Sequence, residues 1–146
     1  FRRVLFRSWL DENGKRVAAD CPQARQEMIN VWPLPLEPWL PASERRAVRL
    51  PPASTICPPY GHDAQLPLQL TGVRDGAIIK RLPGAAAATL PLQSSGGAGE
   101  RWWFLNGEPL TERGRNVTLH LTDKGDYQLL VMDDVGQIAT VKFVMQ

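Results

Sequence analysis

Cys21 and Cys57, His62 and His120, and the adjacent carboxylates Asp133 and Asp134 are side chains whose types could support redox, proton-transfer or metal chemistry. A structural zinc site needs about four nitrogen or sulfur ligands at short, paired spacings. Neither histidine has a ligand partner within the next turn, and no C-x-x-C lies nearby, so the zinc set is incomplete. His120 reads instead as a polar-face residue and His62 as a loop residue. A calcium loop needs several more oxygens than Asp133-Asp134 supplies, and with Gly136 behind them these two read as turn chemistry. The sequence therefore predicts no metal, no cofactor and no catalytic group. Cys21 and Cys57 stand 36 residues apart, either as one covalent staple or as two reduced thiols. Spacing alone does not decide whether their Cα atoms approach.

The elements that would position these residues start from an unremarkable composition. The chain has 146 residues, 43% hydrophobic and 22% charged, which suits one domain, or a small domain with an irregular extension, and not a disordered chain. Its 17 basic residues are scattered among 15 acidic ones for a net charge of +2, which argues against a nucleic-acid partner. No run approaches the roughly 18 apolar residues of a membrane span, and no secretory leader opens the chain. Phe1 to Ser8 read FRRVLFRS, resemble the translated end of a sequencing-library adapter, and are set outside the fold. On that reading the chain is a fragment whose natural sequence continues upstream of Trp9.

Residues 9–65 form a proline-rich connecting segment. In VWPLPLEPWLP, prolines at 33, 35, 38 and 41 exclude a regular helix and predict extended or polyproline-like backbone. Trp32 and Trp39 are spaced along it and would clamp it to a neighbouring surface, since two tryptophans and several leucines are otherwise left in water. Residues 66–146 read as short strands between turns. Leu66 to Leu70, Ala77 to Leu82 and Ala88 to Gln93 come first, then Trp102 to Asn106 ending in the hairpin dipeptide Asn106-Gly107. Val117, Leu119 and Leu121 alternate with Thr118 and His120; Tyr127, Leu129 and Val131, then Ala139, Val141 and Phe143, repeat that parity. Strands separated by turns, without a helical period, predict an all-β sandwich.

Two spacings make the sandwich immunoglobulin-like. Trp103 precedes the Asn106-Gly107 hairpin, where such a domain places its core tryptophan. Leu121-Thr-Asp-Lys-Gly-Asp-Tyr127 matches a tyrosine corner, in which the Tyr127 hydroxyl returns to upstream backbone and the ring fills the core. The usual inter-sheet disulfide is missing, because Leu129 stands two residues after that tyrosine. Trp102 has the opposite strand parity to Trp103, so one of the pair should face away from the main core.

The run GERWWFLNGEPL with the ending DKGDYQLLVMDDVGQIATVKFV resembles the C-terminal domain of bacterial penicillin-binding proteins of the 1C type. WPLPLEPWLP, RLPP and CPP resemble the stretch joining that domain to the transpeptidase. The likeness runs from Trp9 to Gln146. It implies a parent anchored in the inner membrane, with glycosyltransferase and penicillin-sensitive transpeptidase domains upstream and this part in the periplasm. An oxidising periplasm implies in turn that Cys21 and Cys57 are bonded.

The same resemblance says what catalysis would need: a serine with a lysine three residues on, plus S-x-N and K-T-G elements. Ser43 is followed by Glu-Arg-Arg46, Ser54 by Thr-Ile-Cys57, and Lys124-Gly125 lacks the threonine between. The expectation is a catalytically silent accessory module. Its expected partners are the upstream transpeptidase domain of the same chain and other periplasmic cell-wall proteins. The competing expectation is a peptidoglycan-binding sandwich that stacks sugar rings on Trp102, Trp32 or Trp39.

Overall fold

The computed structural model describes residues 2–61, 64 and 66–146, so the reading of His62 lies outside the described residues. The chain divides into two compact units, one of Phe1–Pro67, Gly96–Gly99 and Asp134–Gln137, the other of Leu68–Ser95, Glu100–Asp133 and Ile138–Gln146.

The first unit opens with an antiparallel pair, β1 (Val4–Leu10) and β2 (Arg25–Val31), in which Val4 faces Val31 and Leu10 faces Arg25. Val4 to Ser8, set aside in the sequence, thus lie within a paired strand. The turn after β1 is tied by the Asp11 carboxylate, which accepts the backbone N–H groups of Asn13 and Lys15 at 2.8 and 2.9 Å. The proline segment differs from the extended backbone expected: Leu34–Trp39 is a 3-10 helix with Pro38 inside it. The i to i+3 bonds fall on Leu36 N–H to Pro33 O and Leu40 N–H to Glu37 O, so neither Pro35 nor Pro38 has to donate. Pro33 and Pro41, which flank it, keep polyproline-like dihedrals. A second 3-10 turn, Ala42–Glu44, leads into one helical turn, α1 (Arg46–Arg49). Leu10, Val17, Val31, Leu34 and Leu50 are buried here.

The second unit is an all-β sandwich. Its strands are β3 (Gln69–Thr71), β4 (Ala77–Ile79), β5 (Ala88–Ser95), β6 (Trp102–Leu105), β7 (Glu108–Pro109), β8 (Asn116–Leu121), β9 (Gly125–Met132) and β10 (Ile138–Met145). One sheet runs β4-β10-β9-β6-β7 and the other β3-β5-β8. All pairs are antiparallel except β4 with β10. Immunoglobulin-type sandwiches order their G-F-C strands as β10-β9-β6 are ordered here, which supports the immunoglobulin-like reading.

Alternation builds the core. Ala88, Leu90 and Leu92 of β5 and Val117, Leu119 and Leu121 of β8 point inward from one sheet. Trp103, Leu129, Val131, Val141, Phe143 and Met145 point inward from the other. At the β6–β7 hairpin Asn106 and Gly107 both take positive φ, 51° and 81°, the conformation a two-residue turn between twisted strands requires.

Candidate functional site

Trp103 is 1% exposed in the sandwich core, and its indole N–H donates to the Gly114 carbonyl at 2.8 Å. Tyr127 is half-buried, not fully enclosed. Its ring stacks on Phe143 with centroids 5.5 Å apart, and its hydroxyl donates to the Asp123 carbonyl at 2.7 Å. The ring covers the edge of the core, while the hydroxyl closes the turn before β9 and finds its partner there.

The three tryptophans considered as sugar platforms stand in different settings. Trp102 is half-buried, with the Arg113 guanidinium 3.6 Å from its ring centroid, so one face of the indole is already covered by a cation. Trp32 is also half-buried. Its indole N–H donates to Glu44 Oε2 at 3.0 Å, and the Arg3 guanidinium lies 5.3 Å from its ring centroid. Glu44 also meets Arg3 at 3.0 Å and Arg49 at 3.7 Å. The indole hydrogen bond, with these cations, holds the Glu44 carboxyl below its usual range. Trp39 is 58% exposed.

Cys21 and Cys57 are close enough to interact. The neighbouring Cys57 side chain, and partial burial, push the Cys21 thiol up to about 11, leaving it protonated and weakly nucleophilic at neutral pH. Backbone bonds hold the approach: Ala18 N–H donates to Cys57 O at 3.2 Å and Cys21 N–H to Ala18 O at 3.0 Å. Both are free thiols in this structure.

One polar node went unseen in the sequence. Glu37 and Arg46, 1% and 6% exposed, face each other with Oε2 and Nε 3.9 Å apart. Glu37 Oε1 accepts the Arg46 backbone N–H at 2.5 Å, and the guanidinium reaches the Trp32 and Asp134 carbonyls at 3.3 and 3.4 Å. Burial raises the Glu37 carboxyl above its usual range, against the pull of Arg46, and lowers the Arg46 guanidinium. The available signal was a single carboxylate inside the apolar run LPLEPW. Among the described residues no three His, Cys, Asp or Glu side chains group as metal ligands, and no helix is long and apolar enough to cross a membrane.

The most exposed apolar side chains of the paired strands in the first unit lie on one face. Leu5 and Met28, 61% and 49% exposed, share it with Arg7 and Asn30 by the β1–β2 register.

Residues 58–143, more than half of the chain, match the Penicillin-Binding Protein C-terminus Family, and the chain belongs to that family. Residues 1–48 match the second linker domain of penicillin-binding protein 1C. The chain is 96% identical over 143 residues to Penicillin-binding protein 1C of Escherichia coli (strain K12). That match covers 98% of the chain but only 19% of the relative, so the chain spans about a fifth of the length of the protein it resembles. No solved structure matches.

Proposed function

We propose that this chain is the non-catalytic accessory part of a periplasmic, membrane-anchored peptidoglycan synthase, and that it docks against the upstream transpeptidase domain of its own parent. The observation that carries the docking reading is the Leu5–Met28 face of the β1–β2 pair, where two exposed apolar side chains stand beside Arg7 and Asn30; residues 1–48 match a linker domain, so in this reading Leu5 belongs to that domain and not to an adapter. Catalytic silence rests on chemistry. Acylation needs an activated serine with an adjacent base, and no serine here has a lysine three residues on. The second reading, retention of glycan strands, is favoured by the exposure of the Trp39 side chain.

Co-sedimentation of the purified chain separates the two. Docking expects binding to the transpeptidase portion of the parent, lost in Leu5→Glu/Met28→Glu, with no retention on purified sacculi. Retention on sacculi that Trp39→Ala removes would replace docking with glycan binding. In the same preparation fluorescent penicillin should leave the chain unlabelled, and one stoichiometric labelled band would end the non-catalytic reading.

The facing cysteines fit the same compartment. On exposure to a disulfide oxidant, Cys21 and Cys57 should lose two protons and two electrons to it and form one S–S bond. By loop entropy that bond should stabilise the chain by about 3–4 kcal/mol. Alkylation of unreduced, oxidised protein should find neither thiol, followed by a lower denaturation midpoint after reduction. Labelling at both positions would refute the bond.

A further inference from the structure

The two sheets of the sandwich end in four edge strands, and three of them are blunted. β3 and β4 have three residues each, and β7 has two, one of them Pro109. Short edges and edge prolines are the devices by which proteins prevent strand addition. β8 has neither. It is six residues long, and its exposed side chains are Asn116, Thr118 and His120, with no lysine, glutamate or proline among them.

The direction of its backbone groups follows from one bond. Ser94 N–H donates to Arg115 O at 2.8 Å, so Arg115, and by alternation Val117, Leu119 and Leu121, turn their backbone groups toward β5. Pro91, which has no N–H, stands opposite Thr118, at a position where that ladder asks for none. The N–H and C=O groups of Asn116, Thr118 and His120 therefore point away from β5. Among the described residues no strand pairs with them.

We propose that this edge pairs antiparallel with β8 of a second copy of the chain, about a two-fold axis through Leu119. The register is self-consistent. With Leu119 opposite Leu119 of the second copy, Val117 meets Leu121 and Thr118 meets His120, so inward faces inward and the unpaired backbone groups of the two edges meet. A slip of one residue would set buried faces against exposed ones. The same register brings Arg115 against Asp123 of the second copy, twice by symmetry. Both residues are exposed, and neither side chain has an ion-pair partner among the described residues. Asp123 is held in place through its carbonyl, which accepts the Tyr127 hydroxyl, so its carboxylate is left for the partner. This charge complementarity selects a second copy over an unrelated peptide strand.

Sedimentation of the chain from about 10 µM to about 1 mM should show a monomer passing to a dimer, as a small interface allows. Over that range the Thr118 and His120 amides should become protected from hydrogen exchange as concentration rises, while the Leu119 amide is protected throughout by β5. Asp123→Arg should loosen the dimer about tenfold by setting like charges opposite at two places, and Arg115→Asp in the same chain should restore it. A chain that stays monomeric to about 1 mM, or a dimer indifferent to both substitutions, overturns the proposal. So does protection of Thr118 and His120 by a strand of another protein while the chain remains monomeric.

Discussion

Glu37→Ala is expected to destabilise the chain by about 3–5 kcal/mol, because it leaves the Arg46 guanidinium buried without its principal counter-charge. Arg46 is 6% exposed, and the two carbonyls that remain to it accept at 3.3 and 3.4 Å, long for a charged donor. The Arg46 backbone N–H also loses its acceptor at the start of α1. Replacing both partners gives a different expectation. Glu37→Leu with Arg46→Met removes the charges together, and a buried ion pair exchanged for apolar side chains of similar volume is near neutral. Denaturant melts of the single and double variants check this, and a double variant as unstable as the single would mean that packing, not charge, sets the loss.

Trp103→Ala should lose about 3–5 kcal/mol, the range for truncating a large buried aromatic residue. The indole is 1% exposed among side chains from both sheets, and its N–H bond to Gly114 ties β6 to the loop ahead of β8. Truncation removes the ring's contacts and orphans that carbonyl. Against a typical domain margin of roughly 5–15 kcal/mol, a large share of the sandwich's stability is at stake. A shift below about 1 kcal/mol in the unfolding free energy would contradict the burial. Trp102→Ala is the comparison, since that indole is half-buried beneath Arg113 and should lose less.

The sandwich was legible because its strands carry a clean period of two. Val117, Leu119 and Leu121 could be assigned to one face from the sequence, and β8 buries those three while exposing Asn116, Thr118 and His120. Asn106-Gly107 announced its turn, being one of the few dipeptides suited to two successive positive φ values. The first unit was legible in composition only. Arg25–Val31 reads RQEMINV, with helix formers and one alternation too weak to name a strand, so its pairing with Val4–Leu10 went unseen. The 3-10 helix at Leu34–Trp39 is hidden in the sequence because proline breaks an α-helix, whereas i to i+3 bonding leaves Pro35 and Pro38 with no bond to make. The Glu37–Arg46 node was hidden for another reason. Nothing in a sequence says which of several arginines will be withdrawn from water, and Arg45 next to it looks the same.

Gly136 adopts φ +87°, and a Cβ there would stand 2.7 Å from Glu37 Oε1. The carboxylate occupies the volume that a side chain at 136 would claim, and it cannot retreat without releasing Arg46. Positions 37 and 136, nearly a hundred residues apart in the chain, therefore behave as one unit of inheritance. A lineage that acquires any larger residue at 136 must shorten the side chain at 37 and then neutralise position 46, so these three sites should drift together or not at all.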